Sequence, residues 1–273
     1  MNKIAFIGAG NMNACIIGGL VKSGTPGEQI IVSNPSAPKR ISLSEKYGIN
    51  HTSDNIEAVE NAQTIVLGVK PHLIAEVCQQ IAQQCDISNK CFLSVAAGCT
   101  VAQIQAALGQ PAAVIRTMPN TPSQLGLGVT GLYASKEVTD EQREIASSLM
   151  SAIGEIVWLD QEHQIDQIIT LSGSGPAYFF LFMEAMEQQA KAYGFSDEIS
   201  RKIVQQTAFG AASMVVENPE LDIATLRSNV TSKGGTTQAA LKSFTDEGLP
   251  QLVTNAMAAA LHRAQEMAQN NAS

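Results

Sequence analysis

From Lys3 to about Asp160, short apolar runs alternate with stretches of helical periodicity; beyond Asp160 the strand signals stop. The runs are Lys3–Gly8, Gln29–Asn34, Thr64–Val69, Lys90–Ala96, Ala112–Met118, Gly128–Ala134 and Glu155–Leu159, with a weaker one near Ile49–Thr52. Strands alternating with helices build a doubly wound, mostly parallel sheet. The rest reads as helices over Ile165–Leu171, Pro176–Tyr193, Asp197–Val216, Asp222–Asn229, Thr236–Asp246 and Pro250–Gln269. Several are apolar over more than one face, for example Thr207–Met214, so they need cover on every side. In a domain this small, part of that cover is expected to come from a second subunit. The expected organisation is an α/β domain over residues 1–160 and an all-helical domain over 161–273.

At 273 residues the chain can hold two separate cores. A hydrophobic content of 45% and a charged content of 15% suit a folded protein. The net charge is −8 and lysine and arginine form no block, which argues against nucleic acid and anionic membrane as partners. No apolar stretch is long enough to span a bilayer, and the chain leads straight into a strand without room for a signal peptide. A cytoplasmic location is the expectation. The cysteines at 15, 78, 85, 91 and 99 and the histidines at 51, 72, 163 and 262 show no ligand spacing, so no metal site is expected. Reduced, mostly buried thiols are expected instead.

The first strand ends in Gly8-Ala9-Gly10-Asn11-Met12, where a helix begins. Glycines there permit a tight turn and let a pyrophosphate approach the backbone at the helix start, as in a Rossmann-type domain. The third glycine of the usual pattern is missing, with Asn13 in its place and Ala14 next. The second strand ends in Ser33-Asn34-Pro35-Ser36, without the Asp or Glu that bonds the ribose diol of NAD. Nearby Lys39 and Arg40 favour a 2′-phosphate, hence NADPH with NADH still possible, unless they only decorate an exposed helix face. Two further strand tips, Gly68-Val69-Lys70-Pro71 and Ala96-Ala97-Gly98, fall where open α/β sheets bind ligands. Asn55, at a helix start, is a polar candidate on the same rim.

A second motif, Val230 to Gln238, interrupts the helical half with hydroxyls, one lysine and paired glycines. Its next helix starts at about Thr236, so unpaired amides and the positive helix end would face one spot. That suits a carboxylate or phosphate; equally, the run could be one helix's C-cap followed by another's N-cap.

Taken together these motifs resemble pyrroline-5-carboxylate reductase over nearly the whole length. The resemblance rests on Phe6–Met12, Val69–Pro71, Ala96–Gly98, Arg116–Pro122 (Arg-Thr-Met-Pro-Asn-Thr-Pro), Leu171–Tyr178 (Leu-Ser-Gly-Ser-Gly-Pro-Ala-Tyr) and Val230–Thr237. Lys233 departs from the proline common in that family. The resemblance implies reduction of 1-pyrroline-5-carboxylate to L-proline by hydride transfer from NADPH. It implies cofactor contacts at Gly8–Met12, Ser33, Asn34, Asn55, Gly68–Pro71 and Ala96–Gly98. It places the substrate carboxylate on Gly234, Gly235, Thr236 and Thr237, with Asn229 and Ser232 nearby, and makes Thr237 the candidate proton donor to the ring nitrogen. It also implies a homodimer through the C-terminal helices, in some members a ring of dimers, with active sites shared between subunits. A dehydrogenase of the 3-hydroxyacid type would need a lysine and an asparagine on the helix from Pro176, and neither stands in Pro176–Glu184. A non-catalytic NADPH-binding regulator would need no second anchoring loop.

Overall fold

The computed structural model describes residues 3–270, with side chains described to residue 268. Eight strands are seen among them: β1 (Ile4–Ile7), β2 (Ile30–Ser33), β3 (Asn50–Thr52), β4 (Thr64–Leu67), β5 (Cys91–Ser94), β6 (Ala113–Met118), β7 (Gly128–Ala134) and β8 (Gly154–Trp158). Interleaved with them are α1 (Asn11–Lys22), α2 (Ala37–Tyr47), α3 (Asn55–Glu60), α4 (Ile74–Gln84), α5 (Val101–Leu108) and α6 (Asp140–Ser151). The helical half follows as α7 (Gln164–Ile168), α8 (Gly175–Ala192), α9 (Asp197–Glu217), α10 (Ile223–Asn229), α11 (Thr236–Asp246) and α12 (Leu249–Asn270).

The strands form one sheet in the order β3-β2-β1-β4-β5-β6-β7-β8. All pairs are parallel except β6 with β7. β1 therefore sits at the switch point, with β2 on one side and β4 on the other, where open sheets of this kind leave a crevice for ligands.

The strand pleat divides the core. Ile4 and Phe6 face a cluster with Ile16, Ile17 and Leu20 of α1, Leu43 of α2 and Leu149 of α6. Ala5 and Ile7 face a second cluster with Val59 of α3, Ile74, Val77 and Ile81 of α4, and Ile104 of α5. β1, β4 and β5 are buried along their whole length, which is why they read as continuous apolar runs and not as alternating ones. Capping boxes at Thr100/Gln103 and Thr139/Gln142 start α5 and α6.

The chain groups into two compact units, one comprising the sheet and all residues to Ser174 together with the chain from Ala260 onward, the other Gly175–Ala259. The first unit reaches past the last strand because α7 is fastened to β6. The buried guanidinium of Arg116 donates from Nη2 to Asp166 at 2.8 Å and from Nη1 to Glu162 at 3.4 Å. Glu162 also accepts the Val101 N–H at 2.8 Å. A π-helical turn, Ile169–Gly173, follows α7. Asn120 holds it by donating to the Ser172 carbonyl at 2.9 Å, while its own Oδ1 accepts the Val129 N–H at 2.9 Å. These are the bonds that the Arg-Thr-Met-Pro-Asn-Thr-Pro run supplies. In the second unit, α8 and α9 lie against each other and the rings of Phe182 and Phe244 meet tilted at 45°, with centroids 5.8 Å apart.

Candidate active site

The tips of β1, β2, β4 and β5 lie side by side because these strands are adjacent and parallel. The structure thereby brings together Gly8–Met12, Ser33 and Asn34, Gly68–Pro71 and Ala96–Gly98. Gly8 takes φ +98°, and a Cβ on it would stand 2.8 Å from the Gly68 carbonyl oxygen, so neither a larger residue nor an ordinary backbone fits there. Gly10 caps α1 without any side-chain bond. The first intrahelical bond on this turn is Ala14 N–H to Gly10 at 2.9 Å, which leaves the amides of Asn11, Met12 and Asn13 without partners. A helix start with open donors beside a glycine turn is suited to a pyrophosphate. The Ala9 amide, by contrast, already donates to Asn34 Oδ1 at 3.1 Å.

At the end of β2, Ser33 is buried and its hydroxyl donates to Asn55 Oδ1 at 2.7 Å, which sets the angle of Asn55 at the start of α3. Arg40 folds back from α2, donating from Nη1 to the carbonyls of Asn34 at 3.0 Å and Pro35 at 3.1 Å. Its Nε is buried without a partner. Lys39 points to solvent and makes no bond to this loop. A guanidinium at the end of β2, in place of a carboxylate, fits a 2′-phosphate.

Lys70 is exposed and precedes a short 3-10 turn over Pro71–Leu73. One link on this rim has no sequence signal: Cys99 is buried and its thiol contacts the Pro71 carbonyl at 3.7 Å, tying the tip of β5 to that of β4. Only the closeness of Cys99 to Gly98 could have hinted at it.

In the second unit, α10 ends at Asn229 and α11 begins at Thr236. Gly234 takes φ +73° and donates its N–H to Gln238 Oε1 at 2.6 Å, while the Gly235 N–H donates to the Ser232 carbonyl at 3.1 Å. Gly235 caps α11 without a side-chain bond, so the open donors are the amides of Thr236, Thr237 and Gln238. The Thr237 hydroxyl is half-buried and unpartnered, and Asn229 and Ser232 are exposed. A cavity of about 830 Å³ opens beside this loop, lined by Arg227, Gly234, Gly235, Gln238 and Lys242 among others. Arg227 and the helix end both favour an anion. Among the described residues no group of His, Cys, Asp and Glu could hold a metal ion.

An open dinucleotide edge on a doubly wound sheet, followed by a helical half, defines an NAD(P)H-dependent oxidoreductase. Residues 162–267 match the family described as pyrroline-5-carboxylate reductase dimerisation, and residues 3–98 that described as NADP oxidoreductase, coenzyme F420-dependent. A pyrroline-5-carboxylate reductase of Vibrio alginolyticus is 50% identical over 97% of each chain, and the present chain belongs to the pyrroline-5-carboxylate reductase family. The structure of such a reductase from Coxiella burnetii matches with a TM-score of 0.94 at 40% identity, covering 97% of this chain and 98% of that one. A Plasmodium falciparum pyrroline carboxylate reductase with NADP bound gives 0.84 at 26% identity, covering 98% of both chains.

Proposed function

We propose that this chain reduces 1-pyrroline-5-carboxylate to L-proline by hydride transfer from NADPH, the final step of proline biosynthesis. The observation that carries the reading is the uncapped start of α1 beside Gly8, at the switch point of the sheet and with no carboxylate at the end of β2. Bound NADPH supplies the hydride. Gly8, Gly10, Asn11 and Met12 take the pyrophosphate, with Ala9 fixed by Asn34. Asn34, Asn55 and Arg40 take the ribose and its phosphate, Ser33 aiming Asn55. Gly68, Val69, Lys70 and Pro71, with Ala96, Ala97 and Gly98, border the ring end.

The cyclic imine, once protonated, is strongly electrophilic, so the protein's work is orientation more than bond-making. The amides of Thr236 and Thr237 hold the substrate carboxylate, with Asn229, Ser232, Gly234 and Gly235 shaping the loop. The Thr237 hydroxyl, free of other partners, bonds the ring nitrogen. A neutral threonine is a weak acid, so its part is to hold the nitrogen or to pass a proton from water.

Residues 1–160 act as the dinucleotide-binding domain and 161–273 as the substrate and dimerisation domain. The homodimer forms through the C-terminal helices and such dimers can close into a larger ring. Five free cysteines suit the reducing cytoplasm, and no helix among the described residues is long and apolar enough to cross a membrane.

The test is NADPH consumption with pyrroline-5-carboxylate, set against NADP reduction with 3-hydroxyacids. Turnover of the imine alone is expected, and turnover of the hydroxyacids alone would replace this reading with the dehydrogenase one. Thr237→Ala is expected to lower kcat by roughly tenfold or more while the Kd for NADPH stays within about twofold. Unchanged turnover would remove Thr237 from the mechanism.

A further inference from the structure

Asn13 stands where the dinucleotide-binding pattern usually has its third glycine, and it is fully buried. Its Nδ2 donates to the Gly8 carbonyl at 2.7 Å and to the Ile7 carbonyl at 3.2 Å. Two carbonyl acceptors determine which end of the carboxamide faces them, since only the NH2 end can donate. The Oδ1 end is buried without a partner. The carboxamide lies against Gly68, where an added Cβ would collide with it.

The Gly8–Ala9 peptide is held at both ends. Its carbonyl is taken by Asn13, and its N–H is taken by Asn34 Oδ1 at 3.1 Å. In a trans peptide these two groups point in opposite directions, so side chains from α1 and from the end of β2 grip one plane from both sides. Rotation of that peptide would break both bonds, and the peptide leads directly into Gly10, the cap of α1, whose following amides are the open donors. A glycine in place of Asn13 would permit close packing and supply no such grip.

We propose that Asn13 is a positioning residue for the cofactor: with Gly68 as its necessary small neighbour, it locks the glycine turn in the conformation that receives the dinucleotide phosphates. The inference rests on the NADPH-dependent reading above. Removing a pre-organising bond raises the cost of ordering the turn on binding, and a net hydrogen bond corresponds to roughly a three- to tenfold change in affinity.

The experiment measures NADPH binding by titration, KM for both substrates and thermal stability in five proteins. These are wild type, the single variants Asn13→Ala, Asn13→Gly and Gly68→Ala, and the double variant carrying both Asn13→Gly and Gly68→Ala. Asn13→Ala and Asn13→Gly are expected to raise the Kd and KM for NADPH roughly three- to tenfold, with KM for pyrroline-5-carboxylate within about twofold. Gly68→Ala alone is expected to weaken NADPH binding severely, because the obstacle it meets is the Asn13 carboxamide. Binding is expected to recover severalfold in the double variant, where that carboxamide is gone. NADPH affinity unchanged in both single Asn13 variants would overturn the proposal. So would equal damage from Gly68→Ala with and without the asparagine side chain. Wild-type protein that binds no NADPH would sink the functional reading itself, a result distinguishable from either.

Discussion

Ser33 and Asn34 sit next to each other at the end of β2, yet they serve the cofactor edge differently. Ser33 is turned inward to orient Asn55, whereas Asn34 faces the glycine turn and its Oδ1 accepts the Ala9 N–H. Residue types at a strand tip thus announce a polar rim without saying which group meets a ligand. The cysteines make a similar distinction. Burial pushes the Cys78 and Cys91 thiols up to about 12, with neighbouring Cys99 adding to the effect on Cys78. Burial also raises Cys15 and Cys85, which remain partly accessible. At pH 8 a thiol with pKa near 12 is ionised to about one part in ten thousand, and the thiolate is the reactive form. Iodoacetamide on the native protein is therefore expected to label Cys15 and Cys85 first, with Cys78 and Cys91 labelled only after unfolding. Peptide mapping reads this directly, and early labelling of Cys91 would show that the core around β5 opens readily. The linkage has a definite sign: both buried thiols hold their protons more tightly folded than unfolded. Their contribution to stability is whole below about pH 9 and is lost as pH rises toward 12.

The elements were legible in proportion to how locally their cause acts. The buried parallel strands and the helices between them show as runs and periods because each residue's partner is the core on either face. Between β4 and α4 the chain first makes a 3-10 turn over Pro71–Leu73, where proline suits the first position, and becomes α-helical only at Ile74. The reversed direction of β7 and the π-helical turn at Ile169–Gly173 had no local signal, since both depend on distant contacts. On the cofactor edge, the glycine turn and the strand tips were legible because glycine and chain direction reveal them. The bonds of Asn13, Cys99 and Arg40 were not, because each reaches across elements. Arg116 is the strongest such case, coupling β6 to α7 from a side chain only 2% exposed. Arg116→Ala leaves Asp166 and Glu162 without their cation and opens a void beside them. It is expected to cost about 3 kcal/mol in urea unfolding. A loss below about 1 kcal/mol would mean that water replaces the guanidinium and that α7 is held by apolar packing alone.

For the whole molecule, the helical unit does not look complete as a single copy. Phe179 is 72% exposed on α8, Phe209 64% on α9 and Val216 74% near its end, with Phe180, Leu181 and Leu252 also open to solvent. Only Ser200 and Val204 are buried along the whole of α9. Isolated exposed apolar residues are ordinary, but aromatic clusters on successive helices mark an association surface. The match of residues 162–267 to a dimerisation family supports homo-oligomerisation, and in the homodimer proposed above a second copy of this chain would cover that surface. Large aromatic side chains central to an interface are worth about 2–4 kcal/mol each, so Phe179→Glu with Phe209→Glu should raise the dimer dissociation constant by roughly a thousandfold or more. Sedimentation at micromolar concentration is expected to show monomer in place of the wild-type assembly. Both side chains are exposed within one chain, so circular dichroism should retain its helical signal if only association is lost. An assembly of unchanged size would place the subunit contact elsewhere on the helices. A monomer with full turnover would show that each chain's own residues suffice for catalysis and that the apolar helices serve assembly alone.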